Sequence, residues 1–150
     1  VGAALADKLS IEFIDTDSAI EASYGHKISD IFVDKGEEFF RDLEFTTLTK
    51  SLSVSNCVLS LGGGAPIASR SQDLLKSSQT PVFFLDVSLA VAAPRVGFNR
   101  DRPLLLGNPR AQWQALAETR RPIYESLASF VIKVDAMSVK DVVDEIEAKL

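Results

Sequence analysis

The sequence contains one cysteine, Cys57, and so cannot close a disulfide within the chain; a reducing cytoplasm is its expected setting. Long apolar runs are missing as well. None approaches the ~20 residues that a membrane-spanning helix needs, and no basic leader stands before a short apolar stretch, so neither a membrane partner nor a secretory signal is expected. Positive charge is in deficit, with 16 Lys and Arg against 21 Asp and Glu and a net charge of −5. That balance speaks against a nucleic-acid partner held by broad electrostatics. Repeats and low-complexity linkers are absent too. What remains, 46% hydrophobic and 25% charged residues in a chain of 150, is the composition of a globular protein and the length of one ordinary domain, 1–150, expected to be a monomer.

Lysine is missing from one segment in particular. Six of the eight arginines fall at 95, 100, 102, 110, 120 and 121, and between the first and last of these the only acids are Asp101 and Glu118. An acidic chain that gathers guanidinium groups in one segment suits a localised anion, because arginine's planar fork fits phosphate and carboxylate. A solvated basic helix face is the plainer alternative, but lysine would serve it equally well.

Periodicity gives the order of elements. Val1 to Leu9 has helical spacing and starts without a cap. Ile11-Glu12-Phe13-Ile14-Asp15 is strand-like, and helical patterns follow over Asp17–Tyr24, Ser29–Lys35 and Glu37–Leu52. Cys57–Leu61 is a second strand, stopped by Gly62-Gly63-Gly64. A helix over Ser69–Ser77 leads to a third strand, Pro81–Asp86. A short helical segment then enters an irregular stretch, about 97–109, rich in Arg, Pro, Asn and Gly. A helix over Arg110–Thr119 and a turn near Tyr124 precede a strand over Phe130–Val134. The last helix, Ser138–Leu150, aligns Val139, Val142, Val143, Ile146 and Leu150 on one face. Apolar strands alternating with helices imply an α/β fold, a parallel sheet covered on both faces. Ligands of such sheets sit beyond the carboxyl ends of the strands, which directs attention to Asp15–Asp17 and Gly62–Gly64.

Asp15 and Asp17 are two apart, and on an extended segment both would point the same way. One can orient the water shell of magnesium; the other can take a proton or a hydrogen bond from a substrate hydroxyl. From the pair alone, a helix cap by Asp17 is the simpler reading. Three consecutive glycines at a strand end are more specific. They strip a turn of side chains so that a ligand can meet backbone N–H groups. Arg41 and Glu44 share a helix face, and Glu44 would fix Arg41 for a substrate carboxylate if that face looks into a cleft. Asn99-Arg100-Asp101-Arg102-Pro103-Leu104-Leu105 has the makings of a lid that brings a cation to a transferring phosphate. Arg120-Arg121-Pro122-Ile123-Tyr124 is a second Arg-Pro cluster, expected at a helix boundary. Cys57 is expected to be an inert buried thiol, His26 a solvated loop residue and Trp113 a packing residue.

In this order the motifs make nearly the whole chain similar to the shikimate kinase family. The matching pieces are Asp15-Thr16-Asp17 with Ile20-Glu21, Ile31-Phe32 with Gly36-Glu37, and Phe40-Arg41 with Glu44. Leu61-Gly62-Gly63-Gly64, Arg102-Pro103-Leu104-Leu105 and Arg120 with Pro122-Ile123-Tyr124 complete the set. The resemblance implies a three-layer α/β/α fold of the P-loop kinase type, with substrate-binding helices at about 17–52 and a lid at about 97–109. It implies transfer of the γ-phosphoryl group of ATP, with Mg2+, to the 3-hydroxyl of shikimate, a step of chorismate and aromatic amino-acid biosynthesis. By motif position, Asp17 would hold the shikimate hydroxyls and accept the proton. Arg41 and Arg120 would clamp the shikimate carboxylate, with the backbone of Gly62, Gly63 and Gly64 against the same ligand. Asp15 would meet magnesium through water. Arg102 would contact the ATP phosphates and act in catalysis, and Arg95 would lie near the adenine.

Departures accompany the resemblance. The family's first strand and its Gly-rich P-loop, ending in Gly-Lys-Ser/Thr ahead of the first helix, have no counterpart here. That strand is the middle one in the family order 2-3-1-4-5. The four strands present are therefore expected as two pairs with unpaired inner edges, and a truncated chain or a shortened gene model is expected rather than a natural protein built this way. Pro94 is expected to interrupt the helix before Arg95, and Met137 stands where the family often has an arginine on the adenine. Two further readings are a catalytically inactive shikimate-binding module and another small-molecule kinase of the same fold, such as a gluconate kinase. Arg41, Arg120 and the three glycines together favour the shikimate pocket.

Overall fold

Along residues 1–96 and 109–150, the part of the chain described by the computed structural model, every strand is followed by a helix. The elements are α1 (Gly2–Leu9), β1 (Glu12–Asp15), α2 (Thr16–Tyr24), α3 (Ile28–Leu52), β2 (Cys57–Ser60), α4 (Ser69–Ser77), β3 (Phe83–Asp86), α5 (Leu89–Val96), α6 (Pro109–Leu127), β4 (Phe130–Lys133) and α7 (Val139–Lys149). They divide into two units, Val1–Gln79 with Val139–Leu150, and Thr80–Ser138.

In the first unit β1 and β2 run parallel, with Asp15 opposite Ser60 at their carboxyl ends. Burial of Ile20, Ile31 and Phe40 joins α2 to α3, with Tyr24, Ile28, Phe32 and Leu43 packed around them; each such side chain contributes roughly 1.5–3 kcal/mol. Glu21 Oε2 accepts the Ile28 N–H at 3.0 Å, so a side chain of α2 serves a backbone donor that the first turn of α3 leaves unpaired. The two helical patterns on either side of Gly36 meet in α3 at a break in helical backbone. Gly36 sits at φ 84° and ψ 171°, a conformation that a Cβ would strain. The apolar face of α7 is narrower than its sequence implies. Val142, Val143 and Ile146 are buried, but Val139 and Leu150 lie at the helix ends and are exposed. Lys8 of α1 meets Asp144 of α7 at 2.5 Å and Glu147 at 3.3 Å.

In the second unit β3 and β4 are parallel, with Phe83 opposite Phe130 and Asp86 opposite Lys133. The Phe83 and Phe130 rings stack at 5.2 Å, and Tyr124 of α6 packs on Phe84 at 5.3 Å. The β1–β2 and β3–β4 pairings are those expected of strands 2-3 and 4-5 in the order 2-3-1-4-5.

Two expectations about proline are overturned. Pro94 does not interrupt its helix, because α5 runs through it to Val96, and Pro122 lies inside α6, not at a boundary. An interior proline costs one backbone hydrogen bond and a clash with the preceding turn. Packing outweighs that cost at Pro122, where Arg121 is held by an ion pair to Asp86 and Tyr124 by a ring contact with Phe84.

Candidate functional site

The register of β1 and β2 builds the site. Since Asp15 and Ser60 end the two strands side by side, the chain leaving β1 and the chain leaving β2 emerge at one edge. Thr16 is completely buried there, and its Oγ1 accepts the Gly62 N–H at 3.0 Å. This hydroxyl locks the glycine loop to the start of α2. It stands between two acids, and a buried threonine carries no periodic signal that would single it out.

The premise of two carboxylates on an extended segment fails, because the strand ends at Asp15. Asp15 is the N-cap of α2, its Oδ1 accepting the Ser18 N–H at 3.0 Å. The cap expected of Asp17 therefore belongs to Asp15. Asp17 lies in the first helical turn, where its carboxylate approaches the loop so closely that a Cβ on Gly62 would stand 2.5 Å from Asp17 Oδ1. A side chain at 62 and the carboxylate of Asp17 cannot both occupy this place.

Arg41 reaches the same loop from α3. A Cβ on Gly64 would collide with its guanidinium. Arg41 Nη1 donates to Glu44 Oε1 at 2.9 Å, and Nη2 lies 3.4 Å from Glu37 Oε1. Glu44 is only 4% exposed, so the pair faces inward, which is the arrangement in which Glu44 fixes Arg41. Glu37 was not apparent from the sequence as a partner, although its i, i+4 spacing from Arg41 was available. The loop turns between the two groups, with the Ala65 N–H donating to Gly62 O at 3.0 Å. Two residues of chain span at most about 7 Å. The carboxylate of Asp17 and the guanidinium of Arg41 thus reach two ends of the same short glycine loop. Gly63, between them, is exposed.

In the second unit, Arg120 and Arg121 lie side by side on α6. Arg121 is committed to Asp86, with Nη1 on Oδ1 at 2.7 Å and Nη2 on Oδ2 at 2.6 Å. These two hydrogen bonds hold the Asp86 carboxyl below its ordinary range. Arg120 is half-buried, and one turn on the Tyr124 phenol is pushed up by burial, which the Arg120 charge opposes. The backbone of Arg95 belongs to α5, but its side chain lies outside the described residues, as do Arg102 and nearly all of the segment read as a lid.

Asp15 fits a magnesium ion held through water. One of its oxygens is spent on the Ser18 N–H, leaving the other outside that bond, and no group of three or more His, Cys, Asp or Glu side chains suited to a metal occurs among the described residues. An ion at such a place would keep most of its waters, as magnesium does. Among the described residues no helix is long and apolar enough to cross a membrane.

Known proteins resemble this chain along its whole length. The family model for shikimate kinase matches residues 1–150. The shikimate kinase of Thermobifida fusca is 41% identical over 150 residues, covering all of this chain and 86% of that protein; that of Salinispora tropica is 42% identical, covering all of this chain and 89% of that protein. Among solved structures, shikimate kinase from Acinetobacter baumannii in complex with shikimate superposes with a TM-score of 0.94 at 31% identity, over 99% of this chain and 83% of that one. The Aquifex aeolicus enzyme gives 0.84 at 33% identity, over 98% and 85%. The fold is accordingly that of the α/β P-loop kinases, and with a family model spanning every residue and relatives this close along the full length, the chain belongs to the shikimate kinase family of phosphotransferases.

Proposed function

We propose that the protein phosphorylates the 3-hydroxyl of shikimate with ATP, giving shikimate 3-phosphate and ADP for chorismate and aromatic amino-acid synthesis in the cytoplasm. The supporting observation is the glycine loop with Asp17 against Gly62 and Arg41 against Gly64. A polyol acid needs an acceptor for its hydroxyls and a fork for its carboxylate, and this loop carries both. The ligand of the Acinetobacter baumannii relative is shikimate, which supports the same choice over gluconate or an inactive module.

In this reading Asp17 accepts hydrogen bonds from the shikimate hydroxyls. It takes the 3-hydroxyl proton as that oxygen bonds to the γ-phosphorus and the bond to the β-phosphate oxygen breaks. Arg41, aligned by Glu44, holds the carboxylate together with Arg120, while the N–H groups of Gly62 to Gly64 face the ligand. Mg2+, oriented by Asp15 through water, supplies charge neutralisation at the phosphates. Arg102 contacts the ATP phosphates and Arg95 the adenine, both assigned from motif order. The chain 1–150 acts as a single domain and as a monomer.

Shikimate-dependent release of ADP from ATP tests the proposal, with gluconate as the comparison. Turnover of shikimate that is lost in Asp17→Asn supports it. Turnover of gluconate alone, or tight shikimate binding without ADP release, overturns it.

A further inference from the structure

The cluster of arginines in the sequence contains one whose fork is already engaged within the fold. Arg121 spends both terminal nitrogens on Asp86, and its Nε lies 2.7 Å from Glu125 Oε1. Its guanidinium also lies over the Phe84 ring at 5.5 Å. Asp86 ends β3 and its side chain is only 12% exposed, so the bidentate pair fastens the middle of α6 to the carboxyl end of a strand. One residue away on the helix is Arg120. Successive helical residues point about 100° apart, so the azimuth of Arg120 follows from that of Arg121. Tyr124, one turn on, adds a second fixed point: it packs on Phe84 at 5.3 Å. Pro122 lies between these fixed points, at a place where the helix has lost a backbone bond and would otherwise be free to bend.

We infer that the Asp86–Arg121 pair is a positioning device for Arg120, holding α6 at the rotation that sets the direction of the Arg120 guanidinium. The inference rests on the proposed role of Arg120. Bidentate geometry matters to it, because two parallel bonds fix the orientation of both planes, whereas a single bond leaves a swivel. Neither Asp86 nor Arg121 needs to touch the ligand.

A double-mutant cycle on shikimate affinity, followed by ligand-observed NMR titration, tests it, with thermal melts of every variant as the folding control. Asp86→Asn and Arg121→Gln should each weaken shikimate binding about tenfold, the scale of a lost orienting contact, and neither should weaken it further in an Arg120→Ala background. Arg121→Lys, which keeps the charge but not the fork, should remain weakened. If Arg120→Ala weakens binding while Asp86→Asn and Arg121→Gln do not, the positioning role falls and the substrate assignment stands. If Arg120→Ala binds shikimate as the unaltered protein does, the assignment of Arg120 falls and the inference with it. Equal losses with and without Arg120, tracking lowered melting temperatures, would mean that the pair only stabilises α6 and would overturn the inference.

Discussion

A carboxylate and a guanidinium become useful together only when something fixes their separation, and here the absence of two Cβ atoms does so. Gly62→Ala would place a methyl group 2.5 Å from Asp17 Oδ1. Overpacking of this kind costs roughly 1–3 kcal/mol, which would appear as a loss of about ten- to hundredfold in shikimate affinity, with circular dichroism unchanged. Wild-type affinity in Gly62→Ala would show that the carboxylate does not need this place. Asp17→Asn tests the chemistry separately. An amide keeps the shape and one acceptor but cannot take the proton, so turnover should fall about 10²- to 10⁴-fold, while shikimate affinity changes far less. A parallel fall in both would assign Asp17 to binding alone. Much of this was legible, since Asp17, Arg41 and the glycines announce themselves by type and order. Thr16 did not, because a buried hydroxyl between two acids has neither period nor charge to mark it, and its partner at Gly62 is 46 residues away.

Element boundaries were legible wherever the hydrophobic period was unbroken. The kink at Gly36 followed from the two helical patterns that meet there, and the strand pairs from the order of motifs. Prolines misled, because a local rule about Pro94 and Pro122 takes no account of what packs on the helix from outside. The Asp86–Arg121 pair was illegible for a similar reason: residues 35 apart and joined across β3 and α6 leave no trace in periodicity. It does leave a trace in acid. Asp86 is held below its ordinary value by Arg121 in the folded state, so the pair's contribution is complete above the unfolded value of about 4 and is lost as pH falls through the lower folded value. Asp144 behaves alike, pulled down to about 2 by Lys140 first and Lys8 second. Urea unfolding should therefore show stability falling as pH drops below about 4, and Arg121→Ala should flatten part of that fall. An identical pH slope in the variant would show that Asp86 titrates alike folded and unfolded.

At the scale of the molecule, the question is whether two units serve one ligand. Among the described residues each has one two-stranded parallel sheet, a unit that is marginal by itself. The chain provides one reporter for each. Cys57, the only cysteine, opens β2 in the first unit and is partly buried; its thiol is pushed up by burial and by Glu12, which slows its reaction. Trp113, the only tryptophan, lies on α6 in the second. A ligand at one hundred times its dissociation constant stabilises whatever binds it by about 2.7 kcal/mol, worth several degrees in a chain of this size. If Asp17 and Arg41 act with Arg120 on one shikimate, saturating shikimate should delay Cys57 labelling and raise the Trp113 fluorescence transition to the same temperature. Protection of Cys57 with an unmoved Trp113 transition would confine the ligand to the first unit, and the roles proposed for Arg120 and for a single domain over 1–150 would both fail.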